Sequence, residues 1–130
     1  MRTRAFWEDL AQDLQDPEFL REYVKESMRI ATIDDVVNRL DQAREEAGLS
    51  KAELARAIQV EPATIRRLFS SERANPTLGT LAEVATALGM RVTLEPLPPA
   101  QQQRITRALL DGNAADSERL ASDLDKVRTR

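Results

Sequence analysis

The sequence predicts a mainly α-helical fold, and three observations carry that expectation. Apolar residues recur three or four positions apart along most of the chain, as at Phe6, Leu10 and Leu14. Helix-starting and helix-stopping residues bracket these stretches, among them Ser50 with Glu53 at a start and Gly48, Gly89 and Gly112 at ends. Only residues 90–97, MRVTLEPL, switch to strict alternation, so one short strand is expected there. A length of 130 residues accommodates one domain with extensions, or a small domain carrying two arms.

Residues 4–14, RAFWEDLAQDL, form an amphipathic helix with Trp7 and Ala11 beside the Phe6–Leu10–Leu14 stripe. Asp16-Pro17 ends it and starts the next, with Asp16 as N-cap and Pro17 in the first turn. There Phe19 and Tyr23 form one edge of the apolar stripe, and Leu20, Val24 and Met28 the other. Aromatic residues on acidic helices suit a protein-binding surface, and equally suit an ordinary core. Thr32 is expected to cap a third helix, TIDDVVNRLDQAREEAG, with Asp34 and Asp35 favourable in its first turn. Ile33, Val36, Val37, Leu40, Ala43 and Ala47 line its inner face. Its carboxylates, Asp34, Asp35, Asp41, Glu45 and Glu46, read as a solvated face and not as a metal site.

The stretch Leu49–Gly89 organises the chain. Ser50 and Glu53 have the spacing of a capping box, in which each satisfies the other's helix end. Leu54, Ala55 and Ile58 follow at helical spacing. A second helix opens at Pro62 with Glu61 as an imperfect N-cap; Ile65, Leu68 and Phe69 are its buried stripe, and Arg66 and Arg67 fall off it. A third begins near Thr77 after the Asn75-Pro76 turn, buries Leu81, Val84, Ala85 and Leu88, and stops at Gly89. Two short helices, a tight turn and a basic second helix describe a helix-turn-helix.

These residues resemble the Xre (Cro/cI-type) helix-turn-helix family over about 40 residues. The marks are Ala-Glu-Leu-Ala at 52–55, Thr-Ile at 64–65, Asn-Pro-Thr-Leu at 75–78 and Leu-Ala-Glu-Val-Ala-Thr-Ala-Leu-Gly at 81–89. The resemblance implies a lambda-repressor-like domain, which with the preceding helix spans 31–89; periodicity and chain breaks set beside it an N-terminal helical arm at 1–30, the strand at 90–97 and C-terminal helices over 98–130. Gln59 stands where the family has a turn glycine, Glu61 where it has a Ser or Thr cap, and Ser71 where it often has glycine. Each departure costs about 1 kcal/mol in backbone or capping terms.

The net charge of −3 is unevenly spread. Residues 1–48 hold 7 basic and 12 acidic side chains, a balance of −5, whereas residues 49–75 hold 5 and 3, a balance of +2. The positive balance falls where phosphates would lie. There are no cysteines and no histidines, which leaves no disulfide, no thiolate zinc site and no imidazole base; neither an enzyme, a cofactor nor a metal is expected. Short apolar runs, and a start MRTRAFWEDLAQDL whose basic beginning is followed by acidic helical residues, point to a cytoplasmic chain without membrane span or signal peptide.

A helix in the major groove reads bases from its first turns. Ala63 and Thr64 can meet a thymine methyl, Arg67 can hold guanine O6 and N7, and Arg66 falls on a base or a phosphate. By the resemblance, Lys51 contacts phosphate or a neighbouring base, and Ser50, Arg73 and Asn75 fix the backbone register. One such motif touches little DNA, so a homodimer on an inverted repeat of double-stranded operator DNA is expected. The lone strand asks for the same twofold partner, with Val92 and Leu94 as dimerisation residues. The segment 98–130 is expected to add to that interface or to lie loosely on the surface.

The Trp-Glu-Asp-Leu at 7–10 and Asp-Pro-Glu-Phe-Leu-Arg-Glu-Tyr at 16–23, ahead of such a domain, are similar to antitoxins of HigA type. That resemblance implies a repressor of its own operon that neutralises a basic, RelE/HigB-like mRNA-cleaving toxin through Phe6, Trp7, Leu10, Phe19 and Tyr23. The alternative is a stand-alone Xre-type regulator without a toxin.

Overall fold

The computed structural model describes residues 2–70 and 75–128. Seven helices are present among them: α1 Arg4–Asp13, α2 Pro17–Glu46, α3 Lys51–Ala57, α4 Pro62–Ser70, α5 Leu78–Ala87, α6 Pro99–Asp111 and α7 Ser117–Arg128. The chain divides into two compact units, one of Met1–Thr32 with Glu95–Arg130 and one of Ile33–Leu94.

The first unit joins segments far apart in sequence. Thr3 starts α1, its hydroxyl oxygen accepting the Phe6 N–H at 3.2 Å. Asp16 starts α2 in the same way, accepting the Glu18 N–H at 3.1 Å. Leu10, Leu14, Leu20 and Val24 then close on Ile105, Ala108, Leu120, Ala121 and Leu124 in one core, with Phe6, Trp7 and Tyr23 half-buried at its edge. The segment 98–130 is therefore core-forming, not a loose surface appendage. Asp123, buried on α7, accepts a hydrogen bond from the Arg104 guanidinium on α6. That bond raises the Arg104 pKa above its ordinary value, because the adjacent carboxylate favours the charged guanidinium.

Gly112 ends α6 in the left-handed region, at φ 73°. Arg21 of α2 donates from Nε to the Leu109 carbonyl at 3.0 Å and from Nη2 to the Leu110 carbonyl at 3.4 Å. Its Nη2 would lie 2.9 Å from a Cβ at position 112. Glycine is thus required twice here, by its φ and by the arginine that satisfies the last carbonyls of the helix.

The second unit packs the end of α2 with α3, α4 and α5. Its core is Val37, Leu40, Leu54, Ala55, Ile65, Leu68, Val84 and Ala85. The Ser50–Glu53 capping box is formed reciprocally, both bonds at 3.0 Å. Thr77 caps α5 by accepting the Thr80 N–H at 3.1 Å, and Gly48 and Gly89 turn the chain at φ 72° and 73°.

Two sequence expectations are corrected. Thr32 caps nothing: α2 runs unbroken through it. No proline or glycine lies between Glu18 and Ala47, so the Thr-Ile-Asp-Asp start signal has no break in the chain to act on. Nor is there a strand among the described residues; 90–97 has no regular secondary structure and no ladder. Alternation supplies the pattern of a strand but not its partner, and no other segment among the described residues forms one to pair with it. Val92 is exposed, and Leu94 is fully so at 100%.

Candidate nucleic-acid interface

The helix-turn-helix is α3, the turn 58–61 and α4. Leu54 and Ala55 on α3 and Ile65 and Leu68 on α4 are buried together, which fixes the two helices against each other. The turn is tight: Ile58 and Gln59 donate to the Leu54 and Arg56 carbonyls, and Val60 donates to the Ala55 carbonyl at 3.0 Å. Gln59 makes this turn at φ 58°, a left-handed conformation that a side chain disfavours. The family resemblance expects glycine there, and the backbone shows why.

With Ile65 and Leu68 inward, Arg66 and Arg67 are left exposed, and Ala63 and Thr64 half-exposed at the start of α4. Ala63, Arg66 and Arg67 stand at i, i+3 and i+4, so they share a helix face. Ser70 continues that face, its hydroxyl bonded to the Arg66 carbonyl. Ser50 is exposed; its oxygen is used in the capping box, and its hydroxyl hydrogen remains to donate outward. Lys51, the next residue, is half-buried, and Asn75 is exposed before α5. Arg73 and Ser71 lie outside the described residues.

Ion pairing separates these cations from others of the same unit. Arg39 pairs with Asp35 at 3.3 Å and Arg44 with Asp41 at 2.9 Å, both on α2. Lys51, Arg56, Arg66 and Arg67 have no carboxylate oxygen within 4.0 Å among the described residues. Arg56, not singled out by the sequence, adds an exposed cation on α3; its position three residues after the capping Glu53 disguises it as a local ion-pair partner. Glu53 is already held by the backbone N–H and hydroxyl of Ser50, which lower its pKa, with Arg56 a smaller cause. Among the described residues, the carboxylates nearest in sequence to these cations are Glu53, held in its cap, and Glu61, while Arg56, Arg66 and Arg67 are exposed to solvent without an ion pair. Such a surface attracts a polyanion, and its arginines can grip phosphates or guanine edges.

The residues read as partner-binding are divided. Leu10 is core, 8% exposed, so it is no surface anchor in this conformation. Phe6 and Trp7 meet edge to face with centroids 5.3 Å apart and lie half-buried against the same core. Phe19, 39% exposed, stacks on half-buried Tyr23 at 5.9 Å. Among the described residues no group of His, Cys, Asp or Glu could hold a metal, and no helix is long and apolar enough to cross a membrane.

Residues 40–94 match the family model described as Helix-turn-helix, of the Xre type. The span covers less than half of the chain; it opens at Leu40 within α2 and takes in α3, α4, α5 and residues 90–94. The match supports a DNA-binding transcription regulator. Neither the curated proteins nor the solved structures hold a match to the chain.

Proposed function

We propose that this chain is a sequence-specific DNA-binding repressor that sets α4 in the major groove and acts as a homodimer in the cytoplasm. The observation that carries the reading is the cation set of α3 and α4 on a helix-turn-helix, exposed Arg56, Arg66 and Arg67 with half-buried Lys51, none with a carboxylate partner among the described residues. Arg67 reads guanine in bidentate fashion, Ala63 and Thr64 meet a thymine methyl, and Arg66, Lys51, Ser50 and Asn75 hold the backbone and fix register, with Arg73 beside them in sequence. The reading contains no catalytic step, cofactor or metal. A dimer follows from the small footprint of one motif, and half-sites about 10 base pairs apart follow from the helical repeat of DNA.

The test is selection of duplexes from a randomised library by the purified chain, then titration of the winner and a scrambled duplex at several salt concentrations. An inverted repeat bound far more tightly than the scramble is expected. Equal affinity for both would remove sequence-specific repression.

A second function on the same chain is that of a HigA-type antitoxin neutralising a RelE/HigB-like toxin. It is favoured by exposed Phe19, stacked on half-buried Tyr23, within the Asp16–Tyr23 segment that carries the resemblance. Co-expression with the small reading frame beside its gene, tagging only this chain, tests it. A stoichiometric basic partner that arrests growth alone is expected; a homodimer without companion leaves a plain regulator.

A further inference from the structure

We infer that Arg44 is a positioning residue for the recognition helix, acting through the ring of Phe69. This rests on the reading of α4 as the DNA-contacting helix. Arg44 lies in the last turn of α2, and its side chain is only 13% exposed. Its Nε and Nη2 each lie 2.9 Å from Asp41 Oδ1, which fixes the stem of the side chain along α2. Its Nη1 donates to the Leu49 carbonyl at 2.8 Å, which holds the loop that delivers the chain to Ser50 and α3. The guanidinium carbon stands 5.9 Å from the centroid of Phe69, near the end of α4. One planar cation therefore joins the end of α2, the entrance to α3 and the far end of α4.

The geometry separates Arg44 from the DNA-contacting cations. Lys51, Arg56, Arg66 and Arg67 have no carboxylate partner among the described residues; Arg44 is committed to Asp41, to a main-chain oxygen and to a ring. Its Nε and Nη1 both donate inside the unit. Ile65 and Leu68 bury one stripe of α4 but leave rotation about that stripe weakly defined, because apolar packing is not directional. The cation–π contact with Phe69, flanking the stripe, restricts that rotation and so sets where Ala63, Arg66 and Arg67 point. A cation on an aromatic face is a directional contact, strengthened where water is excluded. Lysine cannot replace it, since an ammonium lacks the fork that reaches Asp41 and Leu49 together while its charge stays over the ring.

The experiment is a double-mutant cycle of Arg44→Lys and Phe69→Leu, with Phe69→Tyr as the variant that keeps the ring face. Two quantities are read: the ratio of affinities for the duplex selected by the wild type and its scramble, and the amide resonances of residues 62–70 without DNA. Each of the first two variants should lower the ratio by about five- to tenfold. The double variant should lose no more than either alone, and Phe69→Tyr should behave as wild type. Amides of α4 should move alike in Arg44→Lys and Phe69→Leu, with the salt dependence of binding unchanged. Equal loss on both duplexes with a salt slope lower by about 1 would make Arg44 a phosphate contact and overturn the proposal. Additive losses, or unmoved α4 amides, would overturn it as well. A wild type that selects no sequence would defeat the DNA-reading function, while the amide cycle would still decide whether Arg44 and Phe69 place α4.

Discussion

Replacing Gln59 by glycine should stabilise the Ile33–Leu94 unit without altering what it binds. Gln59 holds φ 58°, where a side chain costs about 1–2 kcal/mol of steric strain that glycine does not incur. Against this stands the larger entropy of glycine in the unfolded chain, about 0.4–1 kcal/mol. Gln59 is exposed, and its side chain makes no hydrogen bond among the described residues, so no native contact is given up. The turn bond it does make, from its backbone N–H to the Arg56 carbonyl at 3.2 Å, is available to any residue but proline. The net expectation is a gain of about 0.5–1 kcal/mol, or about 2–8 °C in Tm for a unit of this size. Urea titration of wild type, Gln59→Gly and Gln59→Ala checks it. Alanine keeps the Cβ and should bring no gain; glycine should raise the midpoint at unchanged slope. A midpoint lowered by glycine, or raised equally by alanine, would refute the strain argument.

Other changes test other parts of the chain. Arg67→Ala should weaken the selected duplex by about 1–3 kcal/mol in a gel-shift titration and leave thermal unfolding unchanged; an unaltered ratio to the scramble would remove its base-reading role. Gly112→Ala should destabilise the other unit by at least about 1 kcal/mol, since the Cβ meets both a positive φ and Arg21 Nη2 at 2.9 Å. Shortening the obstacle with Arg21→Ala should return part of that loss in the double variant, as denaturant midpoints would reveal. Glu53 titrates below the ordinary carboxyl value of 4.5, so its contribution to stability is complete above that pH and is lost as pH falls through the lower folded value. Glu53→Gln should flatten the acid limb of the stability profile, and an unchanged limb would detach Glu53 from it. Phe19→Asp should abolish capture of a co-expressed basic partner while duplex binding is retained; loss of both with intact folding would contradict separate surfaces.

Local chemistry was the legible part of this fold. Ser50 with Glu53, Asp16 before Pro17, Thr77, Gly89 and Gly112 announced their helix ends, because a cap is decided by a few neighbouring residues. The recognition face followed from Ile65 and Leu68 turning inward, since helical period alone leaves Arg66 and Arg67 outside. What was lost depended on distance in sequence. Leu10 and Leu20 announce a buried stripe, but nothing local says that the stripe meets Leu120 and Leu124 a hundred residues later. Leu10 is therefore buried, and Phe6, Trp7 and Tyr23 half-buried, where a local reading could leave them on the surface. Thr32 failed for the opposite reason: a sound start signal sat inside a helix already running. Arg44 was invisible because its partners, a carbonyl and a ring, leave no pattern in the sequence.

The division of the chain also orders its birth on the ribosome. The unit of Ile33–Leu94 is continuous, so every residue of its core has been translated once Leu94 has emerged. The other unit draws its core from both sides of that stretch and must wait for Ile105, Leu120 and Leu124. During synthesis at about 5–20 residues per second, the reading head can therefore fold seconds before the unit that encloses it in sequence. In that interval Leu10, Leu14, Leu20 and Val24 have no place to bury. A nascent chain paused there carries a finished DNA-binding fold beside an uncovered apolar helix face.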